Sequence, residues 1–178
     1  MIMNKIILIT GGQRSGKSSF AEQTALSLST NPVYMATARV WDDEFRERVR
    51  RHQLRRGLEW TNIEEELNLS RHDVKGRVVL IDCVTLWCTN FFYRDQKKAE
   101  NDSTWVIQCL DDIKAEFDLF TAQDATFIFV TNEIGMGGVS ANALQRRFTD
   151  LQGWVNQYIA SRAHEVTLMV SGIPVKIK

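Results

Sequence analysis

The chain has 178 residues, of which 44% are hydrophobic, and its 22 lysines and arginines balance 22 aspartates and glutamates. This is the composition of an ordinary globular protein, and a chain of this length predicts one domain over residues 1–178. The net charge of zero excludes a global attraction to nucleic acids or anionic membranes, so we expect neither as a partner.

Short apolar runs alternate along the chain with segments of helical periodicity. The runs are rich in β-branched residues and occupy residues 6–9, 33–36, 78–81, 127–130 and 166–170. Apolar residues return every three or four positions in residues 18–28, 43–56, 105–120 and 143–163. This alternation predicts an α/β fold, a mostly parallel sheet flanked by helices. The polar residues 94–103 are predicted to form a mobile surface loop.

A glycine-rich motif follows the first predicted strand and leads into the first predicted helix. Its residues match G-x-x-x-x-G-K-[ST] and are Gly11, Gly12, Gln13, Arg14, Ser15, Gly16, Lys17 and Ser18. In this setting the backbone N–H groups surround a polyphosphate, the lysine reaches the β- and γ-phosphates, and the final hydroxyl ligates Mg²⁺. A glycine-rich turn without a ligand is the alternative. The motif therefore predicts a P-loop NTPase-like (RecA-like) domain that binds a nucleoside triphosphate.

The predicted helix at residues 43–56 is strongly basic. Residues 45–56 contain six arginines and one glutamate. His52 shares a helical face with Arg48 and Arg56, and neighbouring guanidiniums favour a neutral, nucleophilic imidazole and can bind phosphate oxygens. From spacing alone, a solvated helix face is the better explanation, and binding of nucleic acid is another.

Polar residues end the third and fourth apolar runs. A P-loop needs an acidic group at the end of a neighbouring strand to complete the Mg²⁺ shell, so Asp82 is predicted to ligate the metal together with Ser18. Capping of the next helix is the alternative for Asp82. Asn132 and Glu133 follow the next strand and are expected to face the same crevice. Helix capping by Thr131 or Asn132 explains that segment equally well.

The cysteine content and the length of the apolar runs indicate the compartment. Cys83, Cys88 and Cys109 lie in or beside apolar stretches and lack the C-x-x-C spacing of a zinc or redox site, so we expect reduced, buried thiols. Residues 6–9 are too few for a signal peptide or a membrane span, and no later run approaches the length of about 18 uninterrupted apolar residues that a span needs. The sequence predicts a soluble cytoplasmic protein.

Together these motifs resemble those of one family. They are residues 9–18, 34–38, 42–44, the Arg/His helix followed by Trp60, residues 82–87 with Asn90, 130–137 and 171–176. In this order they are similar to the bifunctional adenosylcobinamide kinase/adenosylcobinamide-phosphate guanylyltransferases of cobalamin biosynthesis. The resemblance covers the whole chain. Gly57 and Ser140 stand where family members commonly have proline, which loosens the backbone at those two positions.

The resemblance implies two reactions and two substrates. GTP or ATP phosphorylates the aminopropanol hydroxyl of adenosylcobinamide, and GTP then transfers GMP to the new phosphate with release of pyrophosphate. In the family this transfer passes through a GMP-histidine intermediate, and His52 occupies the position of that histidine. The resemblance thus implies His52 and Lys17 as catalytic residues, Mg²⁺ as cofactor and a homotrimer as the assembly.

Further nucleotide contacts are carried over from the family position by position. Beyond the P-loop they are Ala36, Thr37, Ala38, Gln53, Leu54, Arg55, Arg56, Glu64 and Asp82. Glu64 can accept hydrogen bonds from guanine N1–H and N2–H₂, a donor edge that adenine lacks.

Two other functions stay open on the residues alone. One is a P-loop kinase of another small molecule, with the arginine helix as a lid. The other is a nucleotide-dependent module that binds RNA or protein through that helix.

Overall fold

The computed structural model describes residues 4–39 and 57–178. The helix predicted at residues 43–56 lies outside the described residues. The same is true of five predicted site residues: His52, Gln53, Leu54, Arg55 and Arg56.

The described residues form one seven-stranded sheet with helices on both faces. In chain order the elements are β1 (Lys5–Gly11), α1 (Lys17–Leu28), β2 (Val33–Ala36), β3 (Thr61–Glu64), β4 (Val78–Asp82), α2 (Val84–Phe92), α3 (Gln96–Asn101), α4 (Trp105–Thr121), β5 (Thr126–Val130), α5 (Ala143–Arg162), β6 (Glu165–Val170) and β7 (Ile173–Lys176). The strand order is β3-β2-β4-β5-β1-β6-β7. All pairs are parallel except β6 with β7. The predicted α/β architecture is confirmed.

The central strands are apolar throughout because both faces of the sheet are covered. Successive side chains of β1 point to opposite faces. Ile6 and Leu8 join the core beneath α2, α4 and α5, whereas Ile7 and Ile9 join the core beneath α1. A strand buried on both sides is a continuous hydrophobic run in the sequence, which is why these strands could be predicted.

Helix α1 lies close to the sheet because its inner face is made of small residues. Ala21 and Ala25 are both 0% exposed and pack against β1, β4 and β5. The N-terminus of α1 is consequently held at the carboxyl edge of the sheet, directly after the P-loop.

The strands and helices predicted within the described residues are confirmed to within two residues at each end. The mobile loop predicted for residues 94–103 is wrong, because α3 forms there. The Asp95 side chain caps α3 by accepting a hydrogen bond from Lys98 N at 3.1 Å, and Ala99 is buried in the core at 1% exposed. Helix α2 and strands β3 and β7 were not predicted. None of the helices in the described ranges is both long and apolar enough to cross a bilayer.

Candidate active site

The sheet register places predicted site residues from separate strands in one row. Ala36 pairs with both Glu64 and Asp82, Asp82 pairs with Val130, and Val130 pairs with Ile9. Adjacent strands are about 4.8 Å apart, so the row extends about 19 Å from β3 to β1. The P-loop, Asp82 and Glu64 therefore lie along one edge of the sheet, where ligands of parallel sheets bind.

The P-loop backbone depends on positive φ angles and on a close approach to β6. The φ angles are 151° at Gly11, 61° at Arg14 and 92° at Gly16. A Cβ atom on Gly11 would lie 2.6 Å from the carbonyl oxygen of Met169. Only glycine fits at that position, and the phosphate-binding loop is anchored there to its neighbouring strand.

Lys17 begins α1 and is buried under the loop. Its side chain is 7% exposed, and Nζ donates to Gly12 O at 2.5 Å and to Ser15 Oγ at 3.4 Å. Burial lowers the pKa of Lys17, an effect that the Cys83 thiol and the Asp82 carboxylate partly oppose. A desolvated ammonium gains stability when an anion approaches it. The site is therefore electrostatically suited to phosphate.

Asp82 is held by a tyrosine from the neighbouring strand. Tyr34 Oη donates to Asp82 Oδ2 at 2.8 Å, and the Tyr34 ring packs edge-on against Trp60 with centroids 5.8 Å apart.

The residue that precedes the first turn of α2 is Cys83, and no side chain caps this helix. The alternative role of Asp82 as a helix cap is wrong. Its carboxylate and the Ser18 hydroxyl are oxygen donors that suit Mg²⁺, which uses one or two carboxylates together with substrate phosphates.

Thr37 fixes the junction between β4 and α2. Its side chain is 0% exposed; Oγ1 donates to Cys83 O at 2.7 Å and accepts from Cys83 N at 2.9 Å. The Thr37 carbonyl accepts from Asn90 Nδ2 at 2.8 Å. The Asp82–Cys83 peptide bond at this junction is cis. Because its hydroxyl is fully engaged, Thr37 contributes to the site by holding the residue next to Asp82.

Asn132 and Glu133 connect β5 to its neighbours. Asn132 donates to Thr85 Oγ1 through its backbone N at 3.0 Å and through Nδ2 at 3.1 Å. Glu133 Oε1 accepts from Thr10 Oγ1 at 3.0 Å. The next α-helix of the described chain, α5, is capped by Asn142 instead. Helix capping by Thr131 or Asn132 is therefore a wrong interpretation, and both Asn132 and Glu133 lie at the expected edge.

The turn between β6 and β7 supports the P-loop from the other side. Ser171 and Gly172 have φ angles of 51° and 83°. The Gly172 N–H donates to Ser15 O at 2.9 Å, and a Cβ atom on Gly16 would lie 3.3 Å from Gly172 Cα. Sequence reasoning missed this contact, although a Ser-Gly pair between two apolar runs is a hairpin signal.

The cysteines and the described histidines do not supply nucleophiles to this edge. Cys83, Cys88 and Cys109 are buried and free, as predicted, and burial raises the pKa of Cys83 and of Cys109 to about 12. His164 directly precedes β6, and its Nδ1 accepts from Ile6 N near the start of β1 at 3.1 Å, so it lies at the amino edge of the sheet, opposite the P-loop. His72 is engaged by Glu65, with Nε2 3.2 Å from Glu65 Oε2.

These features define the class of protein. A parallel sheet whose first strand leads into a phosphate-binding loop, with an aspartate ending a nearby strand, is a P-loop nucleotide-binding domain. A solved ATPase of a type III secretion system from pathogenic bacteria has the same fold, with a TM-score of 0.57 and 10% sequence identity. The superposition covers 93% of this chain and 51% of that ATPase.

The family follows from the sequence comparisons. Residues 7–177 match the family model described as cobinamide kinase / cobinamide phosphate guanyltransferase, and the chain belongs to this family. It is 39% identical over 182 residues to the bifunctional adenosylcobalamin biosynthesis protein CobU of Escherichia coli, covering 97% of this chain and 99% of the relative. It is 36% identical over 176 residues to the corresponding CobP of Pseudomonas aeruginosa, covering 96% of both chains. The resemblance stated from the motifs is confirmed.

Proposed function

We propose that the protein phosphorylates adenosylcobinamide with a nucleoside triphosphate and then transfers GMP from GTP to the product, in cobalamin biosynthesis. Membership of the family over residues 7–177 is the observation that carries this proposal. The P-loop geometry supports it, because both reactions need a triphosphate bound along the carboxyl edge of the sheet.

In the kinase step, the P-loop binds the β- and γ-phosphates. The backbone N–H groups of residues 11–18 and the Lys17 ammonium surround these phosphates. The negative charge of the phosphates compensates the buried Lys17 ammonium for its lost contact with water. Ser18 and Asp82 are the residues that hold Mg²⁺. When bound, the ion neutralises charge that develops on the phosphate oxygens. Phosphoryl transfer to the hydroxyl of cobinamide then releases the nucleoside diphosphate.

In the guanylyltransferase step, His52 is the nucleophile. Its imidazole attacks the α-phosphorus of GTP, the bond to the β-phosphate breaks, and pyrophosphate leaves. The phosphate of adenosylcobinamide phosphate then displaces the histidine and takes the GMP group. The position of His164 at the opposite edge and the pairing of His72 with Glu65 support His52 as this group. We assign Gln53, Leu54, Arg55 and Arg56 to the same nucleotide.

The guanine base is recognised at the β3 end of the row of strand residues that starts at the P-loop. We propose that Glu64, which ends β3, accepts hydrogen bonds from the guanine N1–H and N2–H₂ groups. Ala36 and Ala38, which are partly exposed, contact the nucleotide between this position and Asp82, whereas Thr37, which is 0% exposed, supports them from beneath. The exposed position of Glu64 at the end of its strand supports this arrangement.

We also propose that the protein is a cytoplasmic homotrimer. The trimer follows from the family resemblance, and the three free cysteines are consistent with a reducing compartment. Size-exclusion chromatography with light scattering tests the assembly, and a monomer mass at micromolar concentration would contradict it.

Labelling by GTP tests the proposed chemistry. The protein is incubated with Mg²⁺ and GTP labelled at the α-phosphate, without a corrinoid acceptor. We expect an acid-labile, base-stable label on the wild type and on the matched control His164→Gln, and no label on His52→Ala. Label that persists in His52→Ala refutes the role of His52. Phosphorylation of common nucleosides faster than cobinamide favours instead a kinase of another small molecule.

A further inference from the structure

Buried polar side chains form a connected group beneath the carboxyl edge of the sheet. Thr131 Oγ1 donates to Asn156 Oδ1 at 2.7 Å. Gln152 Nε2 donates to Thr131 Oγ1 at 3.0 Å and to Asn156 Oδ1 at 2.9 Å. Thr131 and Gln152 are 0% exposed, and Asn156 is 7% exposed. Groups this deeply buried are costly unless they are hydrogen-bonded, so these bonds fix the orientation of the Asn156 amide.

The Asn156 amide in turn holds one oxygen of the Glu133 carboxylate. Asn156 Nδ2 donates to Glu133 Oε1 at 3.2 Å, and Thr10 Oγ1 donates to the same oxygen at 3.0 Å. Among residues 4–39 and 57–178, none donates a hydrogen bond to the second oxygen, Oε2. The carboxylate is therefore oriented through one oxygen, while the other is available to a ligand.

The backbone of Glu133 joins this carboxylate to the P-loop. Its N–H donates to Gly11 O at 3.1 Å, and Thr10 directly precedes Gly11. Val130, three residues before Glu133, pairs with Asp82 in the sheet. Glu133 consequently lies at the same edge as the phosphate-binding loop and the predicted metal ligand.

The charge of Glu133 decides which ligand it suits. A carboxylate repels the phosphates of a nucleotide at close range, so this group is unsuited to binding them. An ionised carboxylate accepts hydrogen bonds and does not donate them, so a hydroxyl is a suitable partner. The acceptor in the proposed kinase step is a hydroxyl.

We propose that Glu133 is a catalytic residue of the kinase step, binding the acceptor hydroxyl through Oε2 and taking its proton. This inference rests on the proposed function. As the acceptor oxygen bonds to the γ-phosphorus, its proton passes to Glu133. The bond from the γ-phosphorus to the bridging oxygen of the β-phosphate breaks, and the nucleoside diphosphate leaves. The carboxylic acid then releases its proton to water. Thr10 and Asn156 are positioning residues, because they act through Glu133.

Glu133→Gln tests this role with little change in shape. The amide oxygen of glutamine still accepts from Thr10 and Asn156, but the side chain cannot take a proton. We expect kcat for phosphorylation of cobinamide to fall about 10²- to 10⁴-fold, the usual contribution of a general base. The KM for the nucleotide and the labelling by α-labelled GTP without acceptor remain at wild-type levels. Glu100→Gln on α3 is the matched control and keeps the wild-type kcat.

Four results would overturn the inference. Wild-type kcat in Glu133→Gln excludes a catalytic role, and an equal loss of kcat and GTP labelling means that the residue is only structural. If Glu133→Gln does not fold, Glu133→Asp replaces it, because aspartate keeps a base but withdraws it by one methylene group. Reduced kcat with normal labelling in Glu133→Asp then supports the role, and unchanged kcat overturns it. A wild-type protein that performs neither reaction contradicts the proposed function as well, before any variant is compared.

Discussion

Removing the hydroxyl of Thr37 tests how the residue after Asp82 is held. Valine has nearly the same shape as threonine, so Thr37→Val deletes the two hydrogen bonds to Cys83, of 2.7 and 2.9 Å, without opening a cavity. The Cys83 carbonyl keeps a second donor, because Trp87 N donates to it at 3.1 Å. The Cys83 N–H loses the hydroxyl that accepts from it.

The expected loss of stability follows from these contacts. An orphaned buried donor costs about 1–3 kcal/mol, and loss of the hydroxyl-to-carbonyl bond costs about 1 kcal/mol more. We therefore expect Thr37→Val to lower the free energy of unfolding by about 2–4 kcal/mol. For a chain of this size, each kcal/mol corresponds to about 2–4 °C in Tm.

Urea and thermal unfolding of the protein without nucleotide measure this difference. Thr37→Ser is the matched control: it keeps the hydroxyl and loses one methyl group, at a cost of about 1 kcal/mol. Stability of Thr37→Val within about 0.5 kcal/mol of the wild type, the range of ordinary surface substitutions, would refute the assigned role.

Three further expectations concern the loop, the lysine and a thiol. Gly11→Ala should destabilise the nucleotide-free protein by about 1–3 kcal/mol, because the new Cβ strains the backbone and collides with the Met169 carbonyl. Gly12→Ala is the control, because a Cβ there meets nothing within 4 Å and should cost no stability. Equal urea midpoints for the two variants would contradict this expectation. Because burial lowers the pKa of Lys17, its charge costs folding free energy, so Lys17→Met should be at least as stable as the wild type. The same variant loses the ammonium that binds phosphate, and calorimetry should show nucleotide binding about 10- to 100-fold weaker. Because burial raises the pKa of Cys83 from 9.0 to about 12, the unfolded chain releases this proton first, and Cys83 alone should contribute a fall in stability of about 1.4 kcal/mol per pH unit between about pH 9 and pH 12. Cys83→Ala should show a shallower fall, and identical slopes would be evidence against the assignment.

The sequence contained enough local information to predict the central strands and the phosphate-binding loop. β1, β4 and β5 are continuous apolar runs because both of their faces are buried, and the polar residue that ends such a run falls at the ligand edge. This reasoning identified Asp82 and Glu133 as candidates. It favoured the metal role for Asp82, but for residues 131–133 it could not choose between a site role and helix capping, because the choice depends on whether a helix begins there and which neighbour meets the side chain.

Contacts between distant parts of the chain were beyond the reach of local patterns. Thr37 meets Cys83 across 46 positions because β2 and β4 are neighbours in the sheet. The support of Ser15 by Gly172 likewise depends on β6 lying next to β1. Helix α3 was missed for a different reason: its capping signal, Asp95, was present, but its polar composition resembled that of a loop.

Incubation with adenosylcobinamide, GTP and Mg²⁺ tests the central claim most directly. The products are separated by chromatography and identified by mass spectrometry over a time course. We expect adenosylcobinamide phosphate to form first and to be converted into adenosylcobinamide-GDP with release of pyrophosphate. Absence of both products from a protein that binds GTP and remains folded would contradict the assignment of this P-loop domain to cobinamide phosphorylation and guanylyl transfer.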